Sequence, residues 1–308
     1  MRVLADGQPL AEGDVFGGPI VLRVEVEDAT GERHQCMLSS RSLRPVTGDH
    51  VVWRPATPSS QPLLLSVEER RNALIRPNAR GKIEVLAANI TQVVIVVAPS
   101  PEPDPFIVDR YIAAAEFMTA DAAIVCNKRD LIGTEGFEFD AELDVFAALG
   151  YPTLLTSAVG HEGLGELRDL LQSHTSILVG QSGTGKSSLL NALLPDLDLA
   201  TQSVSASLGE GRHTTTASTL YHLDNGGRII DSPGVRDYAP GQALDGQVQQ
   251  GFVEIEAASQ RCRFHNCVHM KEPGCAVIEA VTAQTISPRR YESYRRLLRL
   301  GRDLSRQY

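Results

Sequence analysis

The sequence predicts a multidomain protein with an amino-terminal β-barrel, a central α/β domain built on a parallel sheet, and a mainly helical carboxyl-terminal domain that binds a metal ion. The chain has 308 residues, beyond the length at which a single hydrophobic core usually stops growing. Apolar strands alternate with amphipathic helices in its middle, and three of its five cysteines lie between Cys262 and Cys275. We predict domain limits at 1–76, 77–240 and 241–308.

Charge is distributed unevenly along the chain. The net charge of −9 excludes a uniformly basic coat for nucleic acid, yet residues 41–82 carry eight basic and three acidic side chains and residues 261–308 carry ten and four. Residues 83–260 carry eight basic and 24 acidic side chains. The longest apolar run, 93–98, is too short to span a bilayer, and no leader pattern opens the sequence. We therefore expect a cytoplasmic monomer, without a membrane partner, that meets phosphate backbones at its two ends.

The first 75 residues have the pattern of short half-buried strands. Polar and apolar residues alternate over 20–27, 33–38 and 50–54, with glycine, proline and aspartate turns between them. This pattern predicts a small β-barrel and leaves an unspecified β-domain open as the alternative.

The middle of the chain predicts a parallel sheet covered on both faces. Strands at 92–98, 122–126, 153–156 and 176–179 are apolar throughout, and the helices at 105–119, 140–149 and 164–173 separate them. Ligands of such sheets bind at the carboxyl ends of the strands.

A phosphate-binding loop follows the strand at 176–179. The motif G-x-x-x-x-G-K-[ST] requires a strand before it and a helix after it, and both are present here. Its backbone N–H groups would surround a β-phosphate, its lysine would bind the β- and γ-phosphates, and its serine would bind Mg²⁺. The alternative is a glycine-rich turn without a ligand. The candidate residues are Gly180, Gln181, Ser182, Gly183, Thr184, Gly185, Lys186, Ser187 and Ser188.

A base-reading loop follows the strand at 122–126. The motif N-K-x-D ends in Asp130, whose acceptor oxygens match the adjacent N1–H and amine donors of guanine and not the edge of adenine. The next strand ends at Ser157 and Ala158, where a backbone N–H could meet guanine O6. A chance surface loop is the alternative for either motif alone. The remaining residues of the first motif are Asn127, Lys128 and Arg129.

Two further segments resemble nucleotide-sensing elements. Asp231 and Gly234 form a D-x-x-G motif in which the carboxylate would hold Mg²⁺ through water and the glycine N–H would sense the γ-phosphate. An Asx/Pro turn is the alternative. In the polar segment 209–216, one threonine should reach Mg²⁺, and we favour Thr215.

The order of these motifs indicates a circular permutation. Ordinary small GTPases begin with the phosphate loop, whereas here the base-reading motifs precede it. Val235 occupies the position at which many GTPases carry a glutamine that orients the attacking water, so intrinsic hydrolysis should be slow. His213 is the local candidate for that task, with an ordinary solvated loop histidine as the alternative.

The cysteine cluster predicts a metal site. Three thiolates and one imidazole within fourteen residues suit a closed tetrahedral Zn²⁺ site with a structural role. The alternative is reduced cysteines packed as small hydrophobes. The four candidate ligands are Cys262, Cys267, His269 and Cys275.

A last helix is predicted to begin at Ser287-Pro288. Its leucines form a core-facing stripe, while its seven arginines, with Tyr291 and Tyr294 near the start, would contact RNA from the opposite face.

Together these motifs resemble the RsgA (YjeQ) family of bacterial small-ribosomal-subunit biogenesis GTPases. The resemblance covers about residue 40 onward and rests on the motifs at 127–130, 180–188, 211–215 and 231–234 and on the cysteine cluster. It implies an OB-fold barrel, a GTPase stimulated by the small ribosomal subunit, and a zinc domain that helps dock the protein on subunit rRNA during late maturation, with release after hydrolysis to GDP. In this scheme His213, Thr215 and Lys186 serve catalysis.

Two other functions remain open from the sequence. One is a non-catalytic, GTP-sensing RNA-binding scaffold in which turnover is incidental. The other is a GTPase that serves a protein or membrane partner.

Overall fold

The computed structural model describes residues 11–20, 23–77, 83–133, 139–194, 218–232 and 248–306. The amino-terminal part is a closed five-stranded barrel with the strand order β1-β2-β3-β5-β4, in which β4 pairs back with β1. This confirms the predicted barrel. Its strands are β1 (Ala11–Ile20), β2 (Arg23–Asp28), β3 (Arg33–Leu38), β4 (His50–Arg54) and β5 (Leu63–Val67).

Strand β1 was not predicted. It contains three glycines and a proline, so it shows no alternation of polar and apolar residues. The strand predicted over 20–27 instead begins at Arg23, and Ile20 belongs to β1. The barrel core is small and is filled by inward residues from alternate positions, among them Val24, Val26 and Trp53.

A β-hairpin connects the barrel to the central sheet. It consists of β6 (Ala73–Pro77) and β7 (Ile83–Ala88), which pair antiparallel. The predicted domain limit after residue 76 falls at the end of β6. The limits of the three domains stay a prediction.

The central sheet has the order β10-β9-β8-β11-β13-β12. The first five strands are parallel, and β12 pairs antiparallel with β13. Strand β8 shows why its sequence is apolar throughout: Val93 and Ile95 pack into one core cluster, while Val94 and Val96 pack into the cluster on the other face. The strands are β8 (Gln92–Val97), β9 (Asp121–Cys126), β10 (Thr153–Leu155), β11 (Thr175–Val179), β12 (Thr219–His222) and β13 (Arg228–Asp231).

Four helices cover this sheet. Residues of α1 and α2 join the core cluster on one face, and residues of α3 and α4 join the cluster on the other. The helices are α1 (Pro105–Phe117), α2 (Asp140–Ala148), α3 (Leu164–Leu171) and α4 (Lys186–Leu193).

Strand β12 also pairs with the barrel, because Gly17 of β1 lies opposite Thr219. Two side-chain contacts reinforce this junction: Arg228 Nη1 forms an ion pair with Asp14 Oδ2 at 2.8 Å, and His222 Nε2 lies within hydrogen-bond distance of Glu27 Oε1, at 2.5 Å. The barrel is therefore attached to the two strands that lead to the D-x-x-G motif.

The carboxyl-terminal part is helical, as predicted, with α5 (Val253–Ser259), α6 (Ala276–Thr282) and α7 (Pro288–Arg306). Helix α7 begins at the predicted proline, and its Leu297 and Leu298 are buried in the local core. Among the described residues, no helix has both the length and the apolar character needed to cross a membrane.

The beginning of α7 corrects one expectation. Arg290 is fully buried, where it donates hydrogen bonds to Asp109 of α1 and to both carboxylate oxygens of Glu254. Arg289 pairs with Asp109 and Glu142, and Tyr294 is fully buried. Arg289 and Arg290 are therefore paired with carboxylates of α1, α2 and α5. The first turn of α7 is not available for the RNA contact that the sequence predicts.

Candidate nucleotide site and metal centre

The loops after β9, β10 and β11 meet at the carboxyl edge of the sheet. After β11 the chain turns through Gly180, Gly183 and Gly185, all at positive φ, and α4 begins directly at Lys186. The left-handed Gly185 ends the loop immediately before the helix. The amino-terminal end of α4 faces the loop, and a helix amino terminus with free N–H groups is the geometry that binds phosphate.

Two of these positions leave no room for a side chain, because a backbone atom approaches one and a side-chain amide approaches the other. A Cβ at Gly180 would lie 2.2 Å from the carbonyl oxygen of Val96, and one at Gly185 would lie 2.3 Å from Asn127 Nδ2. The phosphate loop is therefore packed against both β8 and the base-reading loop, and a side chain at either position would force them apart.

The Lys186 ammonium group lies across the start of the loop. Its Nζ donates to the carbonyl oxygens of Gly180 at 2.8 Å and Gln181 at 2.7 Å. Thr184 is fully buried, and its Oγ1 donates to the Gln181 carbonyl at 3.1 Å. These bonds hold the loop curved and place a positive charge beside its N–H groups, whereas Ser182, Ser187 and Ser188 are exposed.

Asn127 joins the three loops. Its side chain is buried, and Nδ2 donates to the Thr184 carbonyl at 3.0 Å. Its Oδ1 accepts from the Ala158 N–H at 3.1 Å and from Thr156 Oγ1 at 3.4 Å. Thr156 is the first residue of the base-supporting loop 156–158 that the sequence indicates at the end of this strand. One amide thus fixes the phosphate loop relative to the loops that would hold a base.

Asp130 is exposed at the rim of the same site and is oriented by a neighbour. Ser157 Oγ donates to Asp130 Oδ1 at 2.6 Å and accepts from the Gly160 N–H at 2.9 Å. The backbones of Ser157 and Glu162 also exchange hydrogen bonds, which closes the turn. The carboxylate is therefore held in one direction while its other oxygen is available to accept.

The two side chains between Asn127 and Asp130 point in different directions. Lys128 has a left-handed backbone at φ 61°, and its Nζ donates to the Ser100 carbonyl at 2.6 Å. Its stem therefore runs along the edge of the site, as expected for a residue that lies against a base. Arg129 turns outward, with Nε 3.7 Å from Glu162 Oε2, so its side chain stabilises the turn.

The D-x-x-G motif begins at the end of β13. Asp231 ends this strand at the same sheet edge, next to β11, and Ser232 follows it with its hydroxyl 2.8 Å from that of Ser218. His213, Thr215 and Gly234 lie outside the described residues, and so does Val235.

The predicted metal ligands converge. Sγ of Cys262, Cys267 and Cys275 and a ring nitrogen of His269 all lie within 4.8 Å of one another. The Cys262 and Cys275 sulfurs are 3.9 Å apart, and His269 Nδ1 lies 3.6 and 3.4 Å from them. Burial raises the pKa of Cys267 to about 12 and lowers the pKa of His269. This Cys₃His cluster could hold a metal ion, which would displace the thiol protons on binding.

Residues distant in sequence support the cluster. His269 Nε2 lies 2.9 Å from Gln249 Oε1, which fixes the tautomer that leaves Nδ1 as the ligand atom. Tyr294 Oη donates to the Val268 carbonyl at 3.0 Å, and Tyr291 Oη donates to the His269 carbonyl at 2.5 Å. No motif in the sequence pointed to Gln249, which lies twenty residues from the histidine. The two tyrosines hold the cluster against α7.

Comparison with known proteins agrees with this geometry. The family model described as RsgA GTPase matches residues 67–239. A protein of Chromohalobacter salexigens named small ribosomal subunit biogenesis GTPase RsgA is 43% identical over 279 residues, covering 90% of this chain and 82% of its own length. The protein of the same name from Pseudomonas aeruginosa is 42% identical over 278 residues, with the same coverage of both chains.

Solved structures give the same result. The crystal structure of YjeQ from Thermotoga maritima superposes with a TM-score of 0.77 at 31% identity, covering 95% of this chain and 99% of the other. The structure of YloQ, described as a circularly permuted GTPase, superposes with a TM-score of 0.75 at 27% identity and covers 98% of both chains.

Proposed function

The chain belongs to the RsgA family of GTPases, hydrolases that act on GTP, and from that premise we propose that it binds the small ribosomal subunit and hydrolyses GTP to GDP during the subunit's late maturation. Hydrolysis is stimulated by the subunit and coupled to release. The observation that carries the proposal is the position of Asn127, whose amide ties the phosphate loop to the base loop in a permuted sheet. The protein acts as a monomer in the cytoplasm, where subunits mature.

The residues at the sheet edge have separate tasks in this proposal. Backbone N–H groups of the loop from Gly180 bind the β-phosphate, and Lys186 neutralises charge that develops on the γ-phosphate. Asp130 accepts from the guanine edge, the Lys128 stem lies on the base, and the Ala158 loop supports it.

The donor set also suits Mg²⁺. Ser187 at the start of α4 and Asp231 at the end of β13 are hard oxygen donors, with Thr215 as the third candidate, and Mg²⁺ prefers such ligands. The ion would neutralise charge on the β- and γ-phosphates. His213 orients the attacking water, since Val235 has no group that can do so.

We propose Zn²⁺ as the ion of the Cys₃His cluster. Tetrahedral bonds of zinc to sulfur and nitrogen require sulfur–sulfur edges of about 3.8 Å and sulfur–nitrogen edges of about 3.6 Å. The measured 3.9 Å between sulfurs and 3.6 and 3.4 Å to nitrogen are close to both values. All four positions are filled by the chain, so the role of the ion is structural.

The exposed loop around this cluster supplies an RNA-binding surface. Arg261, Arg263 and Lys271 are exposed, and the Phe264 ring is 41% exposed with the Arg263 guanidinium 5.4 Å from its centroid. The only carboxylate within the loop, Glu272, is occupied by backbone N–H groups, which lower its pKa to about 2 despite the opposing effect of burial. Cations beside an exposed ring suit phosphates and a stacked base.

The barrel offers less cationic surface than its sequence indicated. Arg70 is used by the buried Asp49, to which it donates two hydrogen bonds of 2.7 and 2.8 Å. A surface pocket between β1, β2 and β4 is acidic and repels phosphate; its carboxylates are those of Glu12, Asp14, Glu27, Asp28 and Glu68. Arg41 and Arg71 are exposed and do not line this pocket, so we assign RNA contacts in this part of the chain to them and not to the pocket.

Replacing Phe264 with alanine should weaken binding to the small subunit by about tenfold, because one base-stacking contact contributes about 1 to 3 kcal/mol. GTP hydrolysis without subunits and thermal stability should not change, since the ring packs on no core. Sedimentation binding at several salt concentrations measures this. Ile83→Ala, which also removes an exposed apolar side chain, is the control, and equal affinity of both variants would exclude Phe264 from the interface.

The function itself is tested by GTP hydrolysis with and without purified small subunits, with large subunits as a specificity control. We expect strong stimulation by small subunits alone. Loss of turnover in Lys186→Ala would show that the GTP hydrolysis comes from this chain and not from a contaminant. An unchanged stimulated rate in His213→Ala would exclude that histidine. GTP binding without stimulation would favour the scaffold over the proposed function.

A further inference from the structure

A loop of the barrel touches the segments that flank the nucleotide-sensing motifs. Thr47, in the turn before β4, is 1% exposed, and its Oγ1 donates to the carbonyl oxygen of Ser218 at 2.9 Å. Ser218 follows Thr215 by three residues in the sequence and directly precedes β12. The hydroxyl therefore holds the main chain directly before β12, two residues after the polar segment 209–216.

The contact continues to the second motif. Ser218 Oγ donates to Ser232 Oγ at 2.8 Å, and Ser232 is the residue after Asp231. Thr219 lies opposite Asp231 in the β12–β13 ladder. Two hydrogen bonds thus connect the barrel to the start of D-x-x-G, through Ser218.

The turn that carries Thr47 is held firmly. Asp49 is fully buried and accepts from the Val46 N–H at 2.8 Å and from Arg70. The Ala88 N–H donates to the Thr47 carbonyl at 3.0 Å, and a Cβ at Gly48 would lie 2.2 Å from the Ala88 carbonyl oxygen. The turn cannot move without also moving the barrel or the hairpin, so it can transmit a displacement of either.

The two side-chain contacts between barrel and sheet described above lie away from the nucleotide site, unlike the pairing of Gly17 with Thr219. The contacts of Asp14 with Arg228 and of Glu27 with His222 lie at the far ends of β13 and β12, away from Asp231. Their side chains are partly exposed, so salt weakens them. They hold the barrel on the sheet, whereas Thr47 meets the sheet at the end that carries the site.

We propose that Thr47 is a positioning residue for GTP hydrolysis, which sets Ser218 and Ser232 and thereby couples the barrel to the nucleotide site. Coupling to a bound ribosomal subunit rests on the proposed function, whereas the link between the hydroxyl and nucleotide preference does not. When a partner displaces the barrel, the bond passes that displacement to Ser218, which precedes β12, and through it to Ser232 of the D-x-x-G motif. A rigid, water-excluded hydrogen bond suits this role better than an exposed ion pair.

Thr47→Val keeps the shape of the side chain and removes the donor, while Thr47→Ser keeps the hydroxyl. We expect Thr47→Val to lower subunit-stimulated kcat about tenfold, the effect of one buried hydrogen bond, and to reduce the preference for GTP over GDP. Affinity for GDP should stay unchanged, because the base and β-phosphate contacts are distant. Thr47→Ser should have the stimulated kcat and the preference for GTP over GDP of the parent protein. Thr285→Val, which removes a similar bond to the Ala280 carbonyl in the helical region, is the control.

Fluorescent GDP and a GTP analogue measure the nucleotide preference, and thermal unfolding checks that each variant is folded. The proposal would be overturned if Thr47→Val kept the parent's stimulation by subunits and its preference for GTP over GDP. It would also be overturned if Thr47→Ser showed the same losses as Thr47→Val. If the parent protein itself is not stimulated by subunits, the proposed function fails, and the preference ratio still decides the role of Thr47.

Discussion

Replacing Asp130 with asparagine is expected to turn a guanine-selective site into one that selects xanthine. Both carboxylate oxygens only accept, which matches the two adjacent donors of guanine. Asparagine presents an amide donor in place of one acceptor, so a donor would face the guanine amine. Xanthine carries a carbonyl oxygen at that position and accepts from the amide. Because Ser157 Oγ holds the Asp130 side chain at 2.6 Å, the new amide should keep nearly the same direction.

The expected change is large in both directions. The substitution removes the negative charge and places an amide donor against the guanine amine, so GTP binding should weaken about a hundredfold or more, and XTP should gain a comparable factor. Competition binding with GTP, XTP and ATP measures the affinities, and XTP hydrolysis with small subunits tests whether turnover follows. Asp144→Asn, at an exposed position of α2, should leave the preference for GTP intact. A variant of Asp130 that still prefers GTP would show that another group reads the base.

The sequence predicted the nucleotide site better than it predicted the contacts that assemble it. Motif spacing places Asn127 and Lys186 at the ends of strands β9 and β11, because buried strands are recognisable from their apolar runs. The hydrogen bond from Asn127 to the Thr184 carbonyl joins residues 57 positions apart. The motif itself indicates that Asn127 can bridge the base and the phosphate loop, but no local pattern encodes which backbone atom it bonds, because that depends on strand order. The bond from Thr47 to Ser218 spans 171 positions and was invisible for the same reason.

The doubly buried strands of the central sheet and two alternating barrel strands were predicted closely, whereas β1, β5, β6, β7 and β12 were not predicted. Strands β3 and β4 lie where alternation placed them, and α7 begins at the predicted Pro288. Strand β1 was missed because its glycines leave no pattern, and its pairing with β4 and β12 supplies the structure that its composition does not. Tertiary pairing outweighs local propensity at such positions.

Charge was the least reliable guide. From the sequence, Arg290 was assigned to the basic face of the last helix, yet it lies fully buried between Asp109 and Glu254. Counting charges along the sequence cannot reveal such a buried ion pair, because the acidic partners of the arginine lie on other helices. The structure therefore moves the proposed RNA contact from the start of α7 to the loop that carries Phe264.

Removal of the metal is expected to unfold the carboxyl-terminal helical region while the GTPase sheet stays folded. The loop from Cys262 to Cys275 contains little regular structure, and Cys267 and Cys275 are part of the core around Phe252 and Tyr294. Structural zinc contributes about 10 to 16 kcal/mol in peptides that fold only with metal. This region also has an apolar core, so we expect a smaller loss, on the order of 5 kcal/mol.

Cys275→Ser tests this expectation, because it removes one ligand and keeps the size of the side chain. Metal analysis should show loss of stoichiometric zinc, and thermal unfolding should show an early transition assigned to α5–α7 by hydrogen exchange. Binding to small subunits should fall with it, because the Phe264 loop loses its anchor. GTP binding in the sheet should persist, since its contacts come from the loops after β9, β10 and β11. His265→Ala, in the same loop and outside the ligand set, should keep the metal; full stability of Cys275→Ser without zinc would mean that the cysteines serve only as packed thiols.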